Sequence, residues 1–359
     1  MWRKKTAWLL LIGLAIVIKI FSFFPDAVEN YYATGIYPVI AKTQRFLFGW
    51  LPFSIGDILY GAVVVWLLYR LYVTVRLVIK KQTNRRFWLN GLKQFGFGVL
   101  LVYVVFNILW GLNYDRRGVA WQLGLNVERY SKDDLVHVMQ EIVERLNALD
   151  AEAHANRATL KSKPHLFKHA IDAYGKLSAS EPAFEYSFRS VKPSLYSYLG
   201  NYLGYTGYYN PFSGEAQVNT TVPLFVQPFT TCHEIGHQLG YAKENEANFA
   251  GYLSAKSSSN PSFRYSVYFD LYSYSRYYLM TQDSVAAHQL DAQLQPGIKK
   301  DYEELREFVR KHRNPIEVIV DKIYGQYLIV NNQPSGKLSY NEVVAWLVAY
   351  YKKFGKEAI

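Results

Sequence analysis

The residues best suited to chemistry are His233, Glu234 and His237, spaced as His-Glu-x-x-His. On a helix, residues four apart share one face. His233 and His237 can therefore offer two imidazoles to a single metal ion. Glu234 sits about 100° round such a helix, close enough to move a proton on a metal-bound water without being a ligand. Two imidazoles plus a carboxylate base suit Zn²⁺-assisted hydrolysis. The bland alternative is a helix carrying two ordinary surface histidines.

A third ligand is expected from the residues just beyond His237. Gly240, three positions on, is suited to the left-handed turn that ends a helix. Residues 244–253 then have the pattern of a second helix. Glu244, Ala247, Asn248 and Gly251 share one of its faces. That face is small apart from its two polar groups, so it can approach the first helix closely. Glu246 shares a different face with Phe249, Ala250 and Leu253. Glu244 is thus the better third ligand and Glu246 the weaker. Asn248, one turn on, is placed to accept a hydrogen bond from a ligand imidazole.

The composition bounds what must position these groups. Of 359 residues, 50% are hydrophobic and 17% aromatic, and only 19% are charged. The net charge is +11, but its distribution points to membrane topology rather than to nucleic acid. A basic start (Arg3, Lys4, Lys5) precedes an apolar run over residues 7–24, broken only by Lys19. Further apolar spans are expected over about residues 55–79 and 95–112, each close to the ~20 residues that cross a bilayer. The second and third flank Arg76, Lys80, Lys81, Arg85, Arg86 and Lys93, with no acid among them. By the positive-inside rule that segment and the N-terminus are cytoplasmic. Three crossings then put everything after about residue 112 outside. The expected partner is the lipid bilayer, with no nucleic acid, and nothing in the sequence specifies an oligomeric state. The single cysteine, Cys232, allows no intrachain disulfide and is taken as a small buried residue.

The expected architecture is mostly α with a small β-sheet (α+β). Residues 1–112 form a membrane region with three transmembrane helices, and residues 113–359 form an extracytoplasmic catalytic domain. Residues 36–50 suit an interfacial helix. Ser131 opens a helix with a capping-box pattern, and a second helix is expected over residues 164–177. His165 and His169 repeat the four-residue spacing there, but without an acid partner, and are taken as surface residues. Residues 184–188 alternate as a half-buried strand does. Residues 205–209 and 215–219 form two strands joined by a turn. The exposed edge of such a sheet can pair with an extended peptide, which makes Gly207, Tyr208, Tyr209 and Asn210 a candidate substrate edge. The metal helix is expected to start near Thr230 or Thr231, both capable caps. Aromatic-rich residues 263–282 suit a helix beside the metal helices, and two or three charged amphipathic helices follow between residues 285 and 330. A last helix is expected over residues 340–354.

With these motifs in place, the chain resembles the domain-of-unknown-function-3810 family of bacterial membrane proteins. The resemblance rests on three spans, then Gly207-Tyr208-Tyr209-Asn210-Pro211-Phe212-Ser213-Gly214-Glu215-Ala216-Gln217-Val218-Asn219. It continues through His233-Glu234-x-x-His237-Gln238-Leu239-Gly240, Glu244-x-Glu246-Ala247-Asn248-Phe249 and the late Gly336-Lys337-Leu338-Ser339-Tyr340. More broadly it is similar to gluzincins, whose third ligand is a Glu in a Glu-x-x-Ala-Asp-like helix. That likeness implies a zincin-like domain and places the ligand role on Glu244, with Asn248 where an Asp is commoner. The short gap from His237 to Glu244 is closer to the compact turn of metzincins. Those, however, place a His or Asp where this chain has Lys243.

The resulting expectation is a membrane-anchored zinc metallopeptidase of the bacterial inner membrane, multi-pass, with a cytoplasmic N-terminus. Its catalytic domain is extracytoplasmic, which is periplasmic in a Gram-negative cell. His233, His237 and Glu244 bind Zn²⁺, and Glu234 deprotonates the metal-bound water as it attacks an extracytoplasmic peptide or protein substrate. Tyr208, Tyr340 and His288 are the candidate oxyanion donors. The alternative is a non-catalytic membrane assembly or sensing protein with a structural zinc site, for which Glu234 has no purpose.

Overall fold

The computed structural model describes residues 2–127, 130–333 and 342–359. It is mostly helical with one three-stranded sheet. Helix α1 (Trp2–Ser22) is followed by a single turn, α2 (Pro25–Ala27), a π-helical stretch over Val28–Ile36, and α3 (Tyr37–Phe48). Helices α4 (Ile55–Ile79) and α5 (Arg85–Leu109) complete the N-terminal region. Among the described residues, α1, α4 and α5 are the three helices long and apolar enough to cross a membrane. They leave side chains such as Leu9, Val64 and Val102 more than half exposed, as lipid-facing helices do. Helices α1 and α5 pack edge to face through Trp8 and Phe97, ring centroids 5.4 Å apart. Helix α5 starts earlier than the expected third span, at Arg85, because Asn84 caps it there by accepting from the Phe87 N–H at 2.9 Å.

The start of α4 is joined to the sheet through one buried carboxylate. Glu215 accepts the backbone N–H of Ile55 at 3.2 Å and of Gly56 at 2.6 Å. It also accepts the hydroxyls of Ser54 and Ser213. An anion at a helix N-terminus satisfies orphan donors and opposes the helix dipole favourably.

Beyond α5, a 3₁₀ turn over Gly111–Asp115 and the short α6 (Gly118–Gln122) lead into α7 (Lys132–Asn156). Ser131 and Asp134 form the expected capping box at its start. Helix α8 (Lys163–Ser180), strand β1 (Val191–Pro193) and α9 (Ser197–Leu203) follow. Strands β2 (Gly207–Asn210) and β3 (Glu215–Val218) form the expected hairpin. The sheet order is β1-β3-β2, with β1 parallel and β2 antiparallel to β3.

The strand expected over residues 184–188 is not formed. Pro182–Phe184 is a 3₁₀ turn instead, Phe184 is buried in the core and Phe188 takes a positive φ of 55°. The apolar alternation there reflects separate anchoring: Phe184 packs in the core, the Tyr186 hydroxyl donates to Gln238 and Phe188 packs on Phe46.

The remaining helices are α10 (Gln227–Gln238), α11 (Glu244–Ser257), α12 (Pro261–Gln282), α13 (Ser284–Gln293), α14 (Pro296–His312), α15 (Pro315–Val330) and α16 (Glu342–Phe354). One large apolar core, including Leu135, Ile142, Tyr174, Ile235, Phe249 and Phe269, joins α7, α8, α10, α11, α12 and α16. A second gathers Val28, Tyr32, Tyr37, Trp110 and Tyr114 with Tyr209 and Ala242. This second core joins the N-terminal region to the sheet and to the turn after α10.

Candidate metal centre

Helix α10 begins at Gln227 with Pro228 in its first turn, three residues before the caps expected at Thr230 and Thr231. Pro is tolerated there because the first N–H groups have no helical partner. The two threonines instead bond back to the carbonyls of Val226 and Gln227, at 3.2 and 2.7 Å. Gly240 takes φ +87° and ends the helical run. Helix α11 then lies against α10 at contact distances that only small residues permit. A Cβ on Gly236 would stand 3.2 Å from the Ala247 carbonyl oxygen, and one on Gly251 would stand 3.0 Å from the His233 nitrogen.

This approach brings the predicted residues together. Asn248 Oδ1 meets His233 Nδ1 at 2.7 Å, and the Tyr241 carbonyl meets His237 Nδ1 at 2.8 Å. Both acceptors hold the proton on Nδ1 and leave Nε2 with its lone pair. Glu244, the first residue of α11, sets one carboxylate oxygen 3.3 Å from His233 Nε2 and the other 3.8 Å from His237 Nε2. The Glu244 N–H donates to Gln333 Oε1 at 3.0 Å.

Glu234 also lies close to the imidazoles. His233, Glu234 and His237 each offer a ligand atom within 4.8 Å of the others. Two carboxylates thus face the histidines, and their surroundings separate them. Glu234 Oε2 is buried with no hydrogen-bond partner, whereas Glu244 is tied down. Glu246 is directed away, buried 3.8 Å from Lys243 and against Gly118.

Electrostatics separate the two carboxylates further. Burial pushes the Glu234 carboxyl up to about 8, helped by the Glu244 charge. Burial also opposes ionisation of Glu244, but its bond to His233 and the nearby imidazoles hold it well below the usual carboxylate range. Burial lowers His237, with the His233 charge adding to the effect. Burial acts on His233 in the same direction, but Glu244 and Glu234 reverse it and raise the imidazole to about 9. A cation held by His233 Nε2 would have to displace the proton that this raised value favours. Two imidazole lone pairs, a fixed carboxylate and an unpartnered buried carboxylate fit a divalent ion such as zinc.

The C-terminal end of α10 is held by the N-terminal region. The Trp110 indole donates to the His237 carbonyl at 3.1 Å, just past the end of α5. Tyr37 and Arg45 both donate to the Gln238 carbonyl at 2.9 Å, and Arg116 donates to that of Gly240 at 3.1 Å. These bonds satisfy carbonyls that a helix end leaves orphaned, and the two cations suit its negative pole. Arg116 is itself buried in an ion pair with Glu29 at 2.7 Å.

The other expected site residues are placed differently. The Tyr208 hydroxyl donates to Asp57, and its ring stacks on Tyr60 at 6.3 Å, so it faces α4 rather than the imidazoles. His288 lies on α13 with a 65% exposed side chain, 3.5 Å from Asp291, in a surface cluster with Arg276. Tyr340, and the stretch from Gly336 that leads to it, lie outside the described residues. Within the candidate edge, β2 is the outer strand of the sheet. Its first residue abuts Glu234: a Cβ on Gly207 would stand 2.6 Å from Glu234 Oε1. Tyr209 and Asn210 are buried.

Two contributors carry no signal in the sequence. The Tyr324 hydroxyl, from α15, donates to Glu244 Oε1. Asp270, on α12, is pushed up to about 7 by burial, opposed by Tyr274 and by the His233 charge. Tyr324 stands in an apolar-looking helix and Asp270 within a tyrosine-rich one, and neither has a local motif.

No curated protein and no solved structure matches the chain. The family model that does match covers residues 32–348 and carries the description "Protein of unknown function (DUF3810)". The span contains both carboxylates, both imidazoles and the segments that cap α10, and the chain belongs to the DUF3810 family.

Proposed function

We propose that the chain is a membrane-anchored, zinc-dependent peptidase. The observation that carries this reading is the division of labour between two buried carboxylates. Glu244 spans the two Nε2 atoms at 3.3 and 3.8 Å, while Glu234 Oε2 is buried without a partner. His233, His237 and Glu244 would hold the ion. When bound, zinc supplies a Lewis acid and lowers the pKa of a coordinated water.

The chain's own groups supply the rest. Asn248 and the Tyr241 carbonyl fix the tautomer and direction of the two imidazoles. Glu234 takes the proton of the attacking water and returns it to the leaving amine. Its low-polarity surroundings suit a carboxyl that exchanges protons near neutrality. A substrate strand paired along β2 would bring its carbonyl beside Glu234, because Gly207 is the residue that touches it. Tyr324, already bonded to Glu244, is a better candidate than Tyr208 or His288 to stabilise the oxyanion. The positive-inside pattern favours an extracytoplasmic site.

The second reading is a non-catalytic membrane assembly or sensing protein with a structural zinc site. The deep burial of His237, Glu244 and Glu234 favours it, and the unpartnered Glu234 opposes it. The deciding experiment is zinc content and peptide-library hydrolysis for the wild type and Glu234→Gln. Bound zinc in both, with hydrolysis lost only in the variant, is the expected result. Stoichiometric zinc with no hydrolysis by the wild type would favour the structural reading.

A further inference from the structure

Helix α15 leaves its most apolar side uncovered. Its inward side is mixed: Tyr324 bonds to Glu244, Glu317 packs on Gly204 and Leu328 is buried. Its outward side carries Ile316, Ile319, Ile323 and Val330, exposed by 60%, 58%, 66% and 80%. Soluble surfaces rarely leave a continuous apolar strip of this kind uncovered. The exposed Arg310, Lys311 and Arg313 stand just before it.

The strip continues towards the candidate spans. Helix α9, which packs beside α15, exposes Leu195 at its approach and Leu199 within it, by 57% and 51%. The Leu195 N–H donates to Asp57 Oδ2 at 2.6 Å, and the Tyr196 hydroxyl donates to the Asp57 carbonyl at 2.8 Å. That hydroxyl also lies against Gly61, where a Cβ would meet it at 2.5 Å. Gly61 is six residues into α4, or about 9 Å along the helix axis. At the far end of α15, the Tyr327 hydroxyl meets that of Tyr114 at 3.1 Å, just beyond α5. The apolar strip is thus flanked by the outer ends of two spans, and α9 reaches down beside one of them.

We propose that α9 and α15 lie in the outer leaflet of the bilayer, with α15 as an interfacial helix that forms one wall of the metal site. An apolar face bordered by cations is the pattern of such helices on anionic membranes. The placement sets the substrate class. The metal helix is bonded to Trp110 at the end of one span, and the β2 residue Tyr208 is stacked on Tyr60 of another. The metal site therefore sits at the level of the lipid headgroups. The substrate is a polypeptide held by an apolar anchor and cut in the stretch next to the membrane. This second half rests on the peptidase reading.

Cys232, the one cysteine of the chain, is buried, so a single introduced thiol can be labelled. Spin labels at Ile323→Cys, at Val64→Cys within α4 and at Glu303→Cys on the exposed side of α14 are compared in the full chain. The chain is reconstituted in phosphatidylethanolamine–phosphatidylglycerol vesicles. The Ile323 label is expected to be relaxed by oxygen and shielded from a water-soluble nickel reagent, like Val64. Access to nickel like that of Glu303 would overturn the proposal. Shielding from both reagents would do so as well, by pointing to a second copy of the chain.

In the same vesicles, one peptide library is offered free or N-palmitoylated. The palmitoylated form should be cleaved about tenfold faster or more, through its raised local concentration. The paired change Ile319→Glu with Ile323→Glu should lower the ratio of the palmitoylated to the free-peptide rate. Equal rates for the two forms would overturn the substrate class. A lipid-facing Ile323 label with no cleavage of either form would overturn the peptidase reading and leave the interfacial helix standing.

Discussion

Two helices of this protein carry histidines four residues apart, and the surroundings of the two pairs differ. On α10, each Nδ1 of His233 and His237 has its own acceptor, and a carboxylate faces both Nε2 atoms. On α8, His165 and His169 lie half-buried with ring centroids 4.3 Å apart and their Nε2 atoms in direct contact. Asp172, one turn on, is committed to Lys168 at 2.8 Å. Spacing thus aligns two imidazoles, but the neighbours decide whether lone pairs converge on a common point. The end of α10 is also locked by four side chains from the N-terminal region.

The difference between the pairs should show most strongly when a group unique to α10 and α11 is removed. Glu244→Gln or His237→Ala should abolish stoichiometric zinc in the purified chain, measured by elemental analysis after dialysis against a weak chelator. Retained zinc would mean that the ion sits elsewhere. Next comes the lock on the helix end. Arg116→Met leaves Glu29 buried without its partner, and loss of half of such a pair costs about 3–5 kcal/mol. Thermal unfolding in detergent should show a large drop, and an unchanged midpoint would mean that the ion pair does not hold the helix end. A smaller effect is expected from Asn248→Ala, which frees His233 Nδ1. Zinc affinity should fall about 10–100-fold with the fold intact, as read by competition with a fluorescent chelator.

Proton linkage offers a finer distinction between the pairs. In the metal-free protein His233 is raised to about 9 and holds a proton at neutral pH, while His237 is lowered and already neutral. Zinc bound at the proposed site would displace the His233 proton, so affinity should rise with pH up to about 9 and then level. Calorimetry in two buffers of different ionisation enthalpy should detect proton release at pH 7, and none would contradict this protonation pattern. The smallest effect is expected on α8. His165→Ala with His169→Ala should leave zinc content and hydrolysis unchanged.

What is legible in the sequence is what depends on near neighbours in the chain. The helical spacing of His233 and His237, the turn at Gly240, the small face of α11 and the capping box at Ser131 are all local, and all are present in the fold. The three apolar helices are likewise written in continuous runs. The features without a sequence signal depend on distant parts of the chain. Tyr324 reaches Glu244 across 80 residues of sequence, and Trp110 reaches the His237 carbonyl across 127. The strand at Val191–Pro193 holds no apolar alternation, being defined by its pairing with β3. The alternation over residues 184–188 instead serves separate anchors, with Phe184 in the core, the Tyr186 hydroxyl on Gln238 and Phe188 against Phe46. Tyr208 is a reasonable donor by position, since it neighbours Gly207 beside Glu234, but a strand turns successive side chains to opposite faces. Its hydroxyl is engaged by Asp57 instead.

Whether the α10 pair is the metal centre can be read from zinc X-ray absorption on the full chain loaded with one equivalent of metal. The expected spectrum has two imidazole nitrogens, carboxylate or water oxygen and no sulfur, with the imidazole signal lost in His233→Ala and kept in His165→Ala. Sulfur scattering from Cys232, or an imidazole signal that survives His233→Ala and disappears with His165→Ala, would contradict it.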